Sequence, residues 1–455
     1  MHNSVFAVPV RGEWLVHAPL HSVTALVNAP AVAALADGSG RSLESPLASL
    51  HAALADDPVH VPQPRQGDLS PDFLGLIPTR TCNLACVYCG FGAGTAPAGY
   101  MEFETATSAV DWMAERMREL GRRTLEVHFF GGEPFCAPEV VDATVHYARA
   151  VAAQQGLLPR FEVATNGVLD DDRARFVGDY FDTVVLSLDG PEQIHDRHRP
   201  RRTGGGSYGA VARVAHLLRE SPTELCLRVC VTRDTAPRLE EIARRLCDDF
   251  RPSVIDFETL QPTPESDEAG LEPPDPWDFA AHCVRACRAV EQSGVQAVFA
   301  AALAETPRLS FCPVGNDTVI VSPDGRVSAC YLPDAEWKRR GMDLDLGRLD
   351  GDGRMQLDPR AVARVRALAT DKPRCVRCFC RWSCAGGCHV NHSYTGCPDT
   401  YDDFCILTRI ITACHLLRDL GHDPCADALL EDRAAQEALG LRSTDCLQNW
   451  ERADG

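Results

Sequence analysis

Apolar runs and stretches of helical period alternate along most of this chain, and their order dictates an architecture. Between residues 72 and 262 the pattern predicts strands at 73–78, 124–130, 160–165, 183–188, 224–232 and 253–259. Helices fall between them, near 103–120, 138–155, 171–178, 208–219 and 237–248. A strand–helix rhythm implies parallel strands joined by right-handed crossovers. Six such units make an open, partial (β/α)6 TIM-like barrel, an α/β fold whose chemistry sits at the C-terminal ends of the strands. Gly204-Gly-Gly-Ser-Tyr208 lacks the lysine of a phosphate loop and reads as a turn before a helix.

The flanks follow other patterns. Residues 1–70 read as a small separate α+β unit. Val5–Val10 and Trp14–His17 form a hairpin across Arg11-Gly-Glu13, and Val23–Val27 is a third strand. Asn28 caps an Ala-rich helix that ends at Asp37-Gly-Ser-Gly40, and a second helix spans 46–54. The four prolines between Pro58 and Pro71 mark a linker to the barrel at 71–265. Residues 263–275 are acidic and proline-rich, and 266–310 reads as a helical linker. Its helix near 276–293 carries Cys283 and Cys287 on what the spacing predicts is a buried face. A cysteine-rich domain covers 311–425, and a helical tail covers 426–455.

Charge and cysteine count narrow the chemistry. The chain has 455 residues and a formal net charge of −19, which disfavours nucleic-acid partners. No apolar run is long enough to span a membrane, and the N-terminus lacks a secretory pattern, so a cytoplasmic enzyme is expected. In that compartment the 21 cysteines point to metal rather than disulfides.

Their spacing is specific. Cys82, Cys86 and Cys89 form C-x3-C-x2-C just after the first barrel strand. Chance alone predicts about 0.04 such matches in a chain of this composition, so the spacing is not accidental. Three thiolates on one tight loop can hold three corners of a [4Fe–4S] cube and leave one iron open. Gly131-Gly-Glu-Pro134, Thr165-Asn-Gly167 and Ser187-Leu-Asp-Gly190 each end a later predicted strand. Together these residues resemble the radical S-adenosylmethionine (radical SAM) superfamily over about 72–262.

The resemblance implies that the open iron chelates SAM. A 5′-deoxyadenosyl radical, released by one-electron cleavage of SAM, would then abstract hydrogen from a substrate. It also implies SAM contacts from Tyr88 beside the adenine and from Gly131, Gly132 and Glu133 at the methionine end. Thr165 and Asn166 would line the rim, Ser187 and Asp189 would meet the ribose, and Arg199 the methionine carboxylate. No catalytic acid or base is assigned, and Asp256 and Glu258 on the sixth strand are the candidates.

A second constellation follows Cys312. Cys330 ends a Gly-x4-Cys element, after which come Cys375-x2-Cys378-x5-Cys384-x3-Cys388 and then Cys405. Pro323-Asp-Gly325 is a hairpin turn that brings its flanking strands together. The whole is similar to the SPASM domain of some radical SAM enzymes, which implies two auxiliary iron–sulfur clusters. Cys375, Cys378, Cys384 and Cys405 would hold one; Cys312, Cys330 and Cys388 would hold the other. In that second site an iron is open, or Cys380 or Cys397 completes the set. C-x2-C…C-x3-C is also a zinc pattern, but seven thiols and the hairpin suit two clusters better. His389 and His392 either tune a cluster or face solvent. The remaining cysteines read as small core residues.

The N-terminal unit weakly resembles the peptide-recognition element of peptide-modifying enzymes; the alternative is an extension that merely covers the barrel. The combination implies a maturase that crosslinks or dehydrogenates residues of a ribosomally made precursor peptide, reduced by an external donor of flavodoxin or ferredoxin type. Alternatives are an anaerobic sulfatase-maturating enzyme, a dehydrogenase or epimerase of a small metabolite, or a non-catalytic iron–sulfur or zinc protein. Sulfatase-maturating enzymes typically carry aspartate where Tyr331 follows Cys330.

Overall fold

The computed structural model describes residues 5–37, 46–91, 99–390, 392, 401–442 and 444–446. Strands β1 (Phe6–Val10) and β2 (Glu13–Ala18) form the expected hairpin, with Arg11 and Gly12 at positive φ, and β3 (Val23–Asn28) pairs with β2. Helix α1 (Ala29–Ala36) starts where Asn28 Oδ1 accepts the Ala31 amide at 2.9 Å, and α2 (Leu47–Ala55) follows. The predicted stop at residues 38–40 lies outside the described residues.

This unit is not separate, contrary to the sequence pattern. One face of its sheet, through Ala7, Val16 and Ala18, packs on Leu35 and Leu54. The other face, through Phe6, Val8, Val10 and Leu15, enters the main hydrophobic core. A sheet with two apolar faces must bury both, so it docks on the body.

The barrel follows the predicted rhythm closely. Its elements are β4 (Leu74–Leu76), α3 (Phe103–Glu119), β5 (Thr124–Phe129), α4 (Pro138–Gln155), β6 (Leu158–Thr165), α5 (Asp171–Tyr180) and β7 (Thr183–Ser187). Then come α6 (Glu192–His198), α7 (Tyr208–Arg219), β8 (Glu224–Val231), α8 (Leu239–Phe250) and β9 (Val254–Thr259). Strands β4 to β9 pair in sequence order, all parallel. In β8, Leu225, Leu227, Val229 and Val231 are buried in the main core. Cys226, Arg228 and Cys230 alternate with them on the opposite, lumen-facing side. The short helix α6 does not show in the sequence pattern.

The predicted linker at 266–310 is instead core. Helix α9 (Pro264–Glu268) is followed by α10 (Pro276–Gln292), which buries Phe279, Cys283, Val284 and Cys287 and packs on α8. Strand β10 (Gln296–Val298) then adds to the sheet, parallel to β9. On the opposite edge β11 (Val319–Val321) runs parallel to β4, and turns at Gly325 into β12 (Arg326–Ser328). Helix α11 (Asp334–Arg339), strands β13 (Asp345–Leu349) and β14 (Met355–Leu357), and helix α12 (Pro359–Ala367) complete this lobe. The barrel sheet is thereby eleven-stranded.

Helix α13 (Asp403–Asp419) is buried on nearly every side and packs on α10. Helices α14 (Asp423–Glu431) and α15 (Arg433–Leu441) follow, and β15 (Asp445–Cys446) pairs with β1. The tail is therefore not wholly helical: its last described residues join the chain's two ends in one sheet. Among the described residues no helix is long and apolar enough to cross a membrane.

Candidate active site

The loop carrying Cys82, Cys86 and Cys89 leaves the C-terminal end of β4 and is clamped from two sides. From one side, the Gly132 amide donates to Thr79 O at 3.1 Å and the Glu133 amide to Thr81 O at 2.9 Å. From the other, Ala85 and Val87 donate to Pro200 O and His198 O, and the Arg202 amide donates to Asn83 O. The Arg202 guanidinium adds bonds to Cys82 O and Leu84 O. This arginine-bearing segment after α6 is a support that the sequence reading missed; only the run of arginines at 199–202 hinted at it.

Gly131 and Gly132 let the strand end pack closely on the cysteine loop. A Cβ on Gly132 would stand 2.4 Å from both Arg80 O and Thr81 O, and one on Gly131 would stand 2.6 Å from Thr79 O. Gly131 also has φ +150°, a backbone region that favours glycine. The Gly-Gly pair lets the two turns interlock.

Around the sulfurs, the Leu84 amide donates to Cys82 Sγ at 3.4 Å, and Asn166 Nδ2 does so at 3.5 Å. Cys82 is 8% exposed, while Cys86 and Cys89 are half-buried. Burial pushes the Cys82 thiol up to about 12, with Glu133, Cys86 and Cys89 adding to the effect. Burial likewise pushes Cys86 to about 11, against the pull of Arg199. Such thiols ionise when a metal supplies the missing positive charge. Three thiols on one loop, each of Cys82 and Cys86 feeling the charge of its neighbouring cysteines, are a donor set that fits an iron–sulfur cluster with one iron left without a thiolate.

Several expected SAM contacts are committed elsewhere. Glu133 is buried; it accepts from Thr165 Oγ1, the Asn166 amide and the Phe135 amide, so it ties the end of β5 to the end of β6. Burial nevertheless raises its carboxyl to about 7. Thr165 and Asn166 are buried beneath the rim, not on it. Asn166 also donates to Asn83 Oδ1, and its contact with Cys82 makes it part of the cysteine environment.

Asp189 is fully buried. Tyr88 Oη donates to its Oδ2 at 2.6 Å, Arg199 Nε lies 3.1 Å from that oxygen, and the Cys230 amide donates to Oδ1. Burial pushes the Asp189 carboxyl up, but Arg199 and His198 outweigh it and hold it well below the usual carboxylate range. The Arg199 guanidinium lies 5.3 Å over the Tyr88 ring. Tyr88, Asp189 and Arg199 therefore form one ionic knot under the cysteine loop. The methionine carboxylate expected at Arg199 would compete with Asp189. Ser187 stays half-buried at its strand end.

The second constellation assembles around a small cavity lined by Cys375, Cys378, Cys384 and Cys405. Arg409, itself buried, donates from Nη1 to Cys378 Sγ at 3.1 Å and lies 4.3 Å over the Tyr401 ring. Burial pushes Cys375 and Cys384 up to about 12. Four sulfurs around a buried void, with arginine beside one, fit a fully ligated cluster whose negative charge needs a counter-charge.

Cys380 lines that same cavity, which places it away from the second set as a fourth ligand. Cys397 lies outside the described residues. Cys312 and Cys330 are both pushed up to about 12 by burial, and each is raised further by Cys388, so these three thiols are neighbours. His389 and His392 are buried rather than solvated; His392 Nε2 lies 3.4 Å from Cys405 Sγ. Tyr331 points its hydroxyl at Gly75 inside the barrel, where its ring packs on Phe130 at 4.9 Å.

Comparison with known proteins follows this geometry. The radical SAM superfamily model matches residues 76–246. A serine-type anaerobic sulfatase-maturating enzyme of Klebsiella aerogenes is 26% identical over 335 residues, 68% of this chain and 78% of that protein. The PqqA peptide cyclase of Gluconobacter oxydans is 30% identical over 271 residues, 56% of this chain and 68% of that protein. Among solved structures, native anSMEcpe with bound AdoMet and Kp18Cys peptide superposes with TM-score 0.60 at 20% identity, covering 76% of this chain and 99% of that one. Streptococcus suis SuiB bound to precursor peptide SuiA gives TM-score 0.51 at 12% identity, covering 86% and 95%. With its cysteine loop on the first barrel strand, the matching family model and a relative 30% identical across two thirds of its own length, this chain belongs to the radical SAM superfamily, whose enzymes use a [4Fe–4S] cluster and SAM.

Proposed function

We propose that the protein is a radical SAM maturase that oxidises residues of a ribosomally made peptide, forming a crosslink or a dehydrogenated residue. The observation that carries this reading is the pairing of two unlike sulfur sites. One is a loop with three cysteines, and the other a small cavity lined by four, Cys375, Cys378, Cys384 and Cys405. The first suits activation of SAM; the second suits electron storage without substrate binding. The likeness to a peptide cyclase and the fold shared with peptide-bound enzymes support a peptide as substrate.

Cys82, Cys86 and Cys89 would hold the SAM-binding cluster. Cys375, Cys378, Cys384 and Cys405 would hold one auxiliary cluster; Cys312, Cys330 and Cys388 would ligate a second, in a SPASM-type lobe. When bound, SAM supplies a carbon radical that removes hydrogen from the substrate. The chain's own part is placement. Asn166 and the Leu84 amide bond to Cys82 Sγ, and the Tyr88–Asp189–Arg199 knot fixes the loop. The barrel strands wall the lumen from water. The reading places the protein in the cytoplasm, reduced by an external donor of flavodoxin or ferredoxin type.

The longer alignment with a sulfatase-maturating enzyme favours a second reading, an anaerobic sulfatase-maturating enzyme that oxidises a Cys or Ser side chain. Tyr331, where that group typically has aspartate, weighs against it. The test uses anaerobically reconstituted protein, SAM, dithionite and the short peptide encoded beside its gene. The expected result is a peptide lighter by two hydrogens. An unchanged peptide with 5′-deoxyadenosine released would move the search to other substrates.

A further inference from the structure

The lumen of the barrel carries a charged patch at the ends of its last strands that no cluster or SAM contact uses. Register pairs Arg228 with Asp256 and Cys230 with Glu258, so all four project to the lumen side of β8 and β9. Arg228 Nε donates to Asp256 Oδ2 at 2.9 Å, which commits that arginine. Glu258 stands one strand pairing from Cys230, whose amide touches Asp189 in the knot beneath the cysteine loop. It is half-buried, and among the described residues no cation forms an ion pair with it.

We propose that Glu258 is a catalytic residue: the proton acceptor when the peptide radical is oxidised. This rests on the peptide-maturase reading above. The balance is simple. The substrate loses one hydrogen atom to the radical that SAM supplies, one electron to an oxidised iron–sulfur cluster and one proton to the Glu258 carboxylate. Two hydrogens leave, and one new bond forms in the peptide. The proton then passes to water at the lumen mouth.

The surroundings suit that task. Asp256 faces Glu258 from its own strand, Arg228 and Cys230 from β8, and Cys283 from α10. Burial first, and then the charge of Asp256, push the Glu258 carboxyl up to about 8, against the pull of Arg228. A base is most effective when it titrates near the working pH. Asp256 Oδ2 is committed to Arg228, whereas Glu258 is not.

The experiment compares holoenzyme carrying Glu258→Gln and Glu258→Asp with wild type, using SAM, dithionite and the precursor peptide deuterated at the reacting carbon. Deuterium in 5′-deoxyadenosine reports hydrogen abstraction; peptide mass reports completed oxidation. In E258Q the deuterium transfer should persist, while product per 5′-deoxyadenosine falls by about 100-fold or more. E258D should retain intermediate coupling, with the pH midpoint of product formation displaced from that of wild type. Infrared spectra should show a carboxyl band that converts from protonated to ionised as the pH is raised and that E258Q lacks. Equal coupling in E258Q and wild type, an unmoved midpoint in E258D, or no such infrared band would overturn this role alone. A wild-type enzyme that cleaves SAM and leaves the peptide unchanged would overturn the peptide reading and this role with it. Should E258Q fail to bind its full iron, the coupling and pH midpoint of E258D decide.

Discussion

Gly132→Ala is the smallest change that should remove one cluster and leave the others. The added methyl would stand 2.4 Å from two backbone oxygens, Arg80 O and Thr81 O, and 2.6 Å from Arg80 C. Real Cβ atoms do not approach within 3.0 Å, so the Gly-Gly turn and the cysteine loop must part by at least about 0.6 Å. No side chain can rotate away, because all three obstacles are backbone. Parting strains the Gly132–Thr79 and Glu133–Thr81 hydrogen bonds, each worth about 1 kcal/mol. Overpacking adds about 1–3 kcal/mol.

The sum, about 3–5 kcal/mol, falls on the loop rather than on the barrel core. Converted at about 1.4 kcal/mol per decade, it lowers the population of the cluster-competent loop at least 100-fold. The assay is iron and sulfide content after anaerobic reconstitution, with electron paramagnetic resonance of the reduced, SAM-treated protein. The G132A protein should lack about four irons, lose the SAM-perturbed signal and keep its circular dichroism. A variant with full iron and wild-type SAM cleavage would refute the reasoning that this turn supports the loop.

Three further outcomes follow from the same structure. Asp189→Asn leaves Arg199 buried without its anion, which should cost about 3–5 kcal/mol and show as a lower melting temperature and diminished cluster retention. Arg409→Met removes the buried cation beside Cys378 and the donor to Leu439 O; redox titration should show the four-cysteine cluster at a more negative potential, or lost. His17 is buried, which pushes its imidazole down to about 4 from 6.5. Between pH 6.5 and 4 the unfolded chain binds a proton that the folded chain excludes, so stability is present above 6.5 and falls with acid by up to about 3 kcal/mol. His17→Phe should remove that share of the pH dependence in thermal unfolding.

The strand–helix rhythm was legible because a half-buried parallel sheet stamps its periods on the sequence. Strands β5 to β9 lie within two residues of their predicted limits, and α4 and α7 match theirs. The Cys82 loop stood out by its spacing, since a tight loop converges thiols so close in sequence, whereas the division of the later cysteines into two sets came from the resemblance to a SPASM domain. Long-range pairing was not. Strand β10 has three residues and β15 two, too short for a period, and each forms because a neighbouring edge is already present. Asp189 and Glu133 were recognised as important residues, but their partners were not. A carboxylate at a strand end looks the same in sequence whether it meets a ligand or, as here, Arg199 and the Asn166 amide. The segment at 198–202 clamps the cysteine loop across more than a hundred residues, beyond the reach of local pattern.

The central claim is that the Cys82, Cys86 and Cys89 loop carries the cluster that cleaves SAM. Its most direct test is 5′-deoxyadenosine release from anaerobically reconstituted protein with SAM and dithionite, wild type beside Cys86→Ala. The account predicts release by wild type and none above background from C86A, with the four-cysteine cluster still present in the variant. No release from wild type holding its full iron complement, or equal release from C86A, would contradict it.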